Sequence, residues 1–227
     1  MSRPPYLVVL PYAVKDWADD CIATMRLQEE GRVLAIDNTV NNLGIMRSHN
    51  IALDRRHPDE WLIIMSAALR FGKHGGLDFI DNLVTWGDHG VISAAGTYGW
   101  HMVAFRPDVI AKMGRWDENF TPYGMDDIDL SIRIHKAMPD IKWGGYPLDC
   151  QDMGMAHSIK VGGIRTQDMA KMFNYWGKKW GVNPGAEFEE YYDKPFNNLF
   201  YDMNFWPGVN GASYDTPAPP SWNERWL

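Results

Sequence analysis

The stretch Trp116-Asp-Glu-Asn-Phe-Thr-Pro-Tyr-Gly-Met-Asp-Asp-Ile-Asp-Leu-Ser-Ile-Arg-Ile-His-Lys136 is the most informative part of this 227-residue chain. It places three carboxylates, Asp126, Asp127 and Asp129, at the start of a predicted helix. Clustered acids raise one another's pKa values and are typical of a cation site, a positive helix end or a reaction that needs a base. The alternative is an acidic helix N-terminus that only stabilises the helix dipole, and the local pattern favours neither.

The rest of the chain alternates between strand and helix patterns. Residues 6–11, 32–37 and 61–66 are short apolar runs typical of buried parallel strands. The remaining predicted elements are helices at 16–30, 43–55, 77–86 and 107–113 and strands at 91–95 and 100–105. This alternation predicts an α/β fold with a mixed, mostly parallel sheet flanked by helices on both faces.

Length and composition indicate one enzyme-sized globular domain. Hydrophobic residues make up 45% of the chain and charged residues 22%, and 227 residues can bury a core within a single domain. We expect this domain at 1–206 and a C-terminal tail at 207–227, because residues 207–221 are rich in Pro, Gly, Asn, Ser and Asp.

Several classes of protein are disfavoured by the same composition. The sequence has no run of about 18 apolar residues. It has no signal-peptide pattern, and Cys21 and Cys150 lack metal or redox spacing, so we expect a cytoplasmic protein without a membrane span. The net charge of −7 argues against broad binding of nucleic acid, although a local basic groove stays open. The 11 Trp, 10 Tyr and 9 Phe residues most often fill cores, and stacking on sugar rings or bases is the alternative.

Three motifs follow one another in the segment around the acid pair. They are Phe105-Arg-Pro-Asp-Val-Ile110, Met113-Gly-Arg-Trp-Asp-Glu-Asn-Phe120 and Asp126-Asp-Ile-Asp-Leu-Ser-Ile-Arg133. In this order they closely resemble family 2 glycosyltransferases of the GT-A fold, in which a Gly-x-Phe/Trp-Asp-Glu-x-Phe turn precedes an acidic pair. The second acid of that pair is the catalytic base of inverting members. The resemblance therefore implies that Asp127 is the base and that Asp126, on the acceptor side, orients the site or helps to bind a metal ion.

Polar residues follow the first three predicted strands, and ligands of such sheets bind at the carboxyl ends of the strands. This rule selects Pro11, Tyr12, Asp37, Asn38 and Ser66. The resemblance implies that the nucleotide of a sugar donor binds here, with an acid after the second strand holding the base or ribose. A carboxylate suits that role because it can accept two hydrogen bonds from a ribose diol, whereas the alternative is a turn-forming Asp-Asn pair.

The segment Ser66-Ala67-Ala68 is the main departure from the family. Family members usually carry Asp-x-Asp there, and those acids bind Mg²⁺ or Mn²⁺, which bridges the two phosphates of the donor. Alanine cannot ligate a cation. Either the metal is held otherwise, or positive side chains such as Arg70 or Lys73 replace it, or the protein has lost catalysis.

Further positive and polar residues follow a strand-like segment at 143–150. The family often has a His near the donor phosphates or metal, and the resemblance implies this role for His157. Lys160 and Arg165 follow closely and are candidates to bind the diphosphate, Arg in bidentate fashion and Lys as a point charge. Solvated surface charge is the alternative for both of them and for Arg70.

Two more segments extend the resemblance to about residues 6–198. Gly96-Thr-Tyr-Gly-Trp100 stands where the family has its acceptor-side glycine loop, which implies acceptor contacts for Gly99 and Trp100. Tyr175-Trp-Gly-Lys-Lys-Trp-Gly181 and Pro195-Phe-Asn197 look like the Lys-Trp-Gly segment and Pro-Phe-Asn tail of many bacterial members. Trp176 and Trp180 are four residues apart, so they could simply pack this helix against the sheet.

The resemblance implies a hexosyltransferase-like enzyme that uses a nucleoside diphosphate sugar, such as a UDP-sugar, and inverts the anomeric configuration. The acceptor stays open between a glycan, a protein and a hydroxylated nucleobase of phage DNA, and the chain length fits a phage or bacterial enzyme. The rival hypothesis is a catalytically silent sugar-nucleotide or glycan-binding protein, which the absent third-strand acids favour. A dinucleotide-dependent oxidoreductase ranks lower, because no Gly-x-Gly-x-x-Gly follows the first strand.

Overall fold

A seven-stranded mixed sheet forms the centre of the protein in the computed structural model, which describes residues 3–26, 32–73, 75–95, 100–120, 124–153, 166–181 and 223–226. The strands are β1 (Tyr6–Tyr12), β2 (Arg32–Asp37), β3 (Trp61–Met65), β4 (Leu69–Phe71), β5 (His89–Ala95), β6 (Met102–Phe105), β7 (Lys142–Pro147), β8 (Cys150–Asp152) and β9 (Asn223–Trp226). The helices are α1 (Lys15–Met25), α2 (Ile45–Arg55), α3 (Leu77–Asn82), α4 (Pro107–Met113), α5 (Asp126–Ala137) and α6 (Thr166–Trp180), with a short 3-10 helix at Glu118–Phe120.

The strand order in the main sheet is β7-β5-β6-β3-β1-β2-β9. Strands β1, β2 and β3 are mutually parallel, and β5 and β7 run in the same direction as they do, since β6 pairs antiparallel with both β3 and β5. Strand β9 is antiparallel to β2, and β4 and β8 form a separate two-stranded sheet. The predicted mixed, mostly parallel α/β sheet is therefore confirmed.

Helices cover both faces of the sheet, because the central strands are apolar on both sides. In β1, Val8 and Leu10 pack against α1 and α3, while Leu7 and Val9 pack on the face that carries α2, α4, α5 and α6. Successive side chains of a strand point to opposite faces, so a strand buried on both sides must be a continuous apolar run. This is why residues 6–11 were recognisable as a buried strand.

The structure corrects the bounds of two predicted helices. Helix α1 ends at Met25 rather than at residue 30, because Arg26 adopts a left-handed backbone conformation with φ of 54°, a common way for a helix to end. Helix α3 ends at Asn82 rather than at residue 86, and residues 83–88 continue as turns.

The sequence does not predict three short strands, which are β4, β8 and β9. Residues 142–152 form β7 and β8 rather than one strand, and β8 pairs with β4, the segment directly after the alanines. Strand β9 falls within 207–227, the segment assigned to a tail, and adds to the edge of the sheet beside β2. The division at residue 206 otherwise stays a prediction. Within the described ranges, none of the helices combines the length and apolar character needed to cross a membrane.

Candidate active site

The carboxyl ends of the parallel strands β1, β2 and β3 lie together at one end of the sheet. Tyr12 and Asp37 are register partners at the carboxyl ends of β1 and β2. At the end of β3, the amide of Ser66 donates a hydrogen bond to the carbonyl of His101, directly before β6, at 2.7 Å. The residues predicted to bind the donor on the first three strands therefore lie at the same end of the sheet, where ligands of parallel α/β sheets bind.

Asp37 is a half-buried carboxylate whose hydrogen bonds favour the charged form. Its Oδ1 accepts hydrogen bonds from the backbone amide of Thr39 at 2.8 Å and from the Thr39 hydroxyl at 2.6 Å. Partial burial opposes ionisation, but the hydrogen bonds from Thr39 and Tyr12 outweigh it and hold the pKa of Asp37 below its ordinary value. At neutral pH this position therefore presents a negative acceptor at the strand ends.

Asn38 has a different environment from Asp37. Its side chain is buried, its amide nitrogen donates to the Ser48 hydroxyl at 3.2 Å, and its amide oxygen accepts from the backbone of Leu43 at 3.2 Å. These bonds fasten the loop after β2 to α2. Because both ends of the amide are engaged inside the protein, the side chain holds the loop in place, and the donor-binding role predicted for Asn38 stays a prediction.

The turn after β3 contains no carboxylate. Ala67 and Ala68 are buried, at 9% and 2% exposure, and the Ser66 hydroxyl accepts a hydrogen bond from the amide of Ala68 at 3.2 Å. The buried thiol of Cys21 on α1 donates to the Ser66 carbonyl at 3.7 Å, and burial raises the pKa of that thiol to about 12. These residues do not fit a Mg²⁺ or Mn²⁺ site, which needs several oxygen ligands. Among the residues that the structure describes, no group of three His, Cys, Asp or Glu side chains could hold a metal ion.

Arg70 folds its guanidinium back onto this turn. Its Nη1 donates to the carbonyls of Ala67 at 2.9 Å and Leu69 at 2.8 Å, and its Nη2 lies 3.3 Å from the Asp20 carboxylate of α1. The Arg70 guanidinium is therefore a positive group that is held against the turn after β3.

The acid pair lies at the amino end of α5. Gly124 (φ 103°) and Met125 (φ 65°) both have left-handed backbone conformations just before the helix, and such a conformation is unusual for a methionine. Asp126 and Asp127 follow as half-buried residues of the first turn, and Oδ1 of Asp127 accepts a hydrogen bond from the amide of Ile128 at 2.8 Å. The left-handed conformations of Gly124 and Met125 turn the chain sharply before α5, and this turn orients the two acids of the first helical turn.

The carboxyl end of α5 lies against the start of β7. Near its carboxyl end, His135 stacks on Trp143 at the start of β7, with ring centroids 4.8 Å apart and planes at 12°. Helix α5 has 12 residues and spans roughly 18 Å. Since β7 runs parallel to β1 and β2, this contact lies at the end of the sheet where the parallel strands begin, and the two acids lie at the opposite end of α5.

Asp126 titrates unusually. Burial, together with repulsion from the neighbouring Asp127 carboxylate, raises the pKa of Asp126 to about 7. Perturbed carboxyls of this kind cluster at functional sites.

A buried charge network lies beneath the acid pair. Asp129 accepts hydrogen bonds from Nε of Arg133 at 2.9 Å and from the indole of Trp180 at 3.0 Å, and Nζ of Lys179 lies 2.5 Å away. Burial opposes ionisation of Asp129, but Lys179 and Arg133 outweigh it and lower its pKa. Asp129 is therefore paired with two buried cations.

Lys179 also binds a second buried acid, Asp117, at 2.7 Å. The Asp117 carboxylate accepts hydrogen bonds from the Tyr175 hydroxyl at 2.7 Å and from the amide of Asn119 at 3.0 Å. Burial raises the pKa of Asp117 to about 6, against the opposing effect of Lys179. Sequence reasoning missed this pair, although both residues lie in motifs that were singled out, Trp116-Asp-Glu and Lys-Trp-Gly.

The remaining predicted site residues are placed as follows. Trp100 is half-buried and packs edge-on against Phe105, with ring centroids 5.4 Å apart, and beside Trp143 at 6.2 Å. It therefore contributes to the core under α5. Pro11 is half-buried at the end of β1. Four predicted residues lie outside the described ranges: Gly99, His157, Lys160 and Arg165.

Comparison with solved structures identifies the architecture. A mannosyltransferase from Pyrobaculum calidifontis in complex with GDP-Man and Mn²⁺ matches 81% of this chain and 67% of its own, with a TM-score of 0.56 and 17% sequence identity. The fold is the GT-A fold of glycosyltransferases. A Drosophila β1,4-galactosyltransferase 7 variant in complex with manganese, UDP-Gal and xylobiose covers 74% of this chain and 79% of its own, with a TM-score of 0.52 and 9% identity.

Sequence comparisons add nothing to this likeness. No protein-family model matches the chain, and no curated protein matches it significantly. At 17% and 9% identity, the two solved structures establish the GT-A fold alone. The residues at the carboxyl ends of the strands and at the start of α5 therefore bear on function more directly than the fold does.

Proposed function

We propose that this protein transfers a sugar from a nucleoside diphosphate sugar to an acceptor hydroxyl with inversion of configuration, and that Asp127 is the general base. The observation that carries the proposal is the acid pair at the amino end of α5, whose opposite end packs on the start of β7; we infer from this that the pair lies on the side of the sheet where β1 and β2 end and Asp37 stands. The GT-A fold supports it, because the two compared proteins were solved with nucleotide sugars.

The chemistry needs a base next to the acceptor. Asp127 accepts the proton of the acceptor hydroxyl as that oxygen forms a bond to the anomeric carbon. The bond from this carbon to the diphosphate breaks on the opposite face, and its electron pair leaves with the nucleoside diphosphate. General-base help of this kind typically contributes about 10²–10⁴ in rate. Asp126, which titrates near neutral pH beside it, orients the acceptor side of the site.

The donor lies across the ends of the first three strands in this proposal. Asp37 accepts hydrogen bonds from the ribose or the base, since its carboxylate is ionised at neutral pH and half-exposed. Pro11 and Tyr12 lie at the carboxyl end of β1, and Ser66 directly follows β3. Further roles stay proposals from the sequence resemblance: acceptor contacts for Gly99 and Trp100, and diphosphate contacts for His157, Lys160 and Arg165.

The experiment that tests this function is a turnover assay on a panel of UDP-, GDP- and dTDP-sugars. Released nucleoside diphosphate is measured, and the anomeric configuration of the hydrolysed or transferred sugar is followed by NMR from the first minutes. The proposal expects release from at least one donor and a product of inverted configuration. A product with retained configuration would rule out Asp127 as the base of a single displacement.

A catalytically silent sugar-nucleotide or glycan-binding protein is the second candidate. The buried alanines of the β3 turn favour it, because they stand where the resembling family has metal-binding acids. Calorimetry on the same panel separates the two candidates: binding of a nucleotide sugar without any release of nucleoside diphosphate would support the silent protein.

The acceptor is an open part of the proposal, with a glycan, a protein and a hydroxylated nucleobase as the candidates. Incubation with the active donor and each acceptor class, followed by mass spectrometry, identifies the product by the added mass of one sugar. The net charge of −7 makes long DNA the least favoured acceptor, because duplex DNA repels an acidic protein.

A further inference from the structure

We propose that donor binding and sugar transfer by this protein need no divalent cation, and that the guanidinium of Arg70 is the fixed positive charge that binds the donor diphosphate. This inference rests on the proposed function and concerns the turn after β3, at Ser66–Leu69. It departs from the two compared proteins, which were solved with manganese.

The oxygen atoms of this turn are already engaged within the protein. The Ser66 hydroxyl accepts from the Ala68 amide, and the carbonyls of Ala67 and Leu69 accept from Nη1 of Arg70. The Ser66 carbonyl accepts from the Cys21 thiol and from the amide of Leu69. A cation bound here would have to displace these donors and would find no carboxylate on the turn, whereas Mg²⁺ and Mn²⁺ prefer charged oxygen ligands.

The guanidinium of Arg70 has hydrogen-bonding capacity left for a ligand. Of its five N–H groups, the two on Nη1 bind carbonyls and one on Nη2 faces Asp20 at 3.3 Å. The N–H of Nε and the second N–H of Nη2 have no acceptor among the residues that the structure describes. Nε–H together with an N–H of Nη2 is a donor pair, or fork, with which a guanidinium binds a phosphate in bidentate fashion.

The ion pair with Asp20 leaves most of this charge available. The Asp20 side chain is 70% exposed, and exposed ion pairs contribute little because water screens them. Arg70 itself is only 17% exposed, and its carbonyl bonds fix the group beside the end of β3. A preoriented positive group at the diphosphate stabilises the charge that develops as the anomeric bond breaks, which is the task a metal ion would otherwise perform.

The test is calorimetric binding of UDP and GDP to the wild-type protein in EDTA and in MnCl₂, followed by the same titration with two variants. Arg70→Lys keeps the charge without the fork, and Arg70→Met removes both. Lys112→Met is the matched control, because Lys112 is an exposed cation in the last turn of α4, which lies on the other face of the sheet. Thermal unfolding of each variant is recorded alongside.

The inference expects the affinity for the preferred nucleotide in EDTA to be within about twofold of that in MnCl₂. Loss of a charge-assisted contact predicts about 10–100-fold weaker binding for Arg70→Met and a smaller loss for Arg70→Lys, with the control unchanged. If Arg70→Met does not fold, the affinity of Arg70→Lys and the comparison of wild-type binding in EDTA with that in MnCl₂ still test the inference.

Two outcomes would overturn the inference alone: binding that is lost in EDTA and restored by Mn²⁺, or a folded Arg70→Met variant with wild-type affinity. Absence of nucleotide binding in either buffer would overturn the proposed function as well, which distinguishes the two failures.

Discussion

The ammonium nitrogen of Lys179 lies 2.7 Å from Oδ2 of Asp117, and both side chains are fully buried. The same nitrogen lies 2.5 Å from Asp129, in the first turn of α5. Lys179 therefore joins α6 to the segment before the 3-10 helix and to the helix that carries the acid pair. Because Asp129 follows Asp127 by two residues, the position of the proposed base depends on this lysine.

We expect Lys179→Met to destabilise the protein strongly. The substitution leaves Asp117 without its cation and Asp129 with Arg133 alone, and breaking a buried ion pair typically costs about 3–5 kcal/mol. The free energy of unfolding, measured by urea denaturation, checks this. Lys178→Met is the matched control, since Lys178 is the exposed neighbour on the same helix and its loss should change stability by less than about 0.5 kcal/mol. Equal effects of the two substitutions would contradict the role assigned to Lys179.

Asp126→Asn should stabilise the protein increasingly as the pH rises. The pKa of Asp126 is about 7 in the folded protein and near 3.9 in an unfolded chain, so between these values the folded state binds more protons. Stability contributed by the protonated carboxyl is therefore fully present below about pH 4 and is lost as the pH rises through 7. Replacing the Asp126 carboxyl by an amide removes this loss of stability at high pH.

The measurement is the thermal unfolding midpoint of Asp126→Asn relative to wild type at pH 4.5 and pH 8. We expect little difference at pH 4.5 and a gain at pH 8 of at least roughly 2–4 °C, the shift that about 1 kcal/mol produces in a chain of this size. Asp140→Asn, at an exposed position beyond the other end of α5, serves as the control. A difference that does not change with pH would show that Asp126 titrates normally.

Asp37→Asn should weaken nucleotide binding without unfolding the protein. The substitution removes the negative acceptor at the end of β2, and hydrogen bonds to charged groups contribute about 1.5–3 kcal/mol, or about 10–100-fold in affinity. Calorimetry with UDP and GDP measures the loss, and Asp59→Asn, an exposed acid before the start of β3, is the control. Wild-type affinity in Asp37→Asn would remove this residue from the donor site.

The central sheet and the start of α5 were predictable from the sequence for physical reasons. Strands β1, β2 and β3 are buried on both faces, so each is a continuous apolar run, and the acids of α5 directly follow Gly124 and Met125, which turn the chain into the helix. Helix α4 was predicted with its observed bounds, because Pro107 favours the first turn of a helix.

Other features depend on contacts between distant segments and have no local signal. Strands β4 and β8 have three residues each and are defined by their mutual pairing across the chain. Lys179 follows another lysine, and only the fold distinguishes the two by bringing Lys179 to Asp117. The hydrogen bonds of the Asn38 amide with Leu43 and Ser48 likewise depend on the fold, because the sequence alone does not show how the loop after β2 meets α2.

The most direct test of the account is single-turnover release of nucleoside diphosphate by Asp127→Asn, with donor affinity measured on the same preparation. The account predicts that the rate falls by at least about 10²-fold while donor affinity and the unfolding midpoint stay near wild type, because only the base is lost. Asp140→Asn should retain the wild-type rate. Turnover by Asp127→Asn at the wild-type rate would contradict the assignment of this carboxylate as the base.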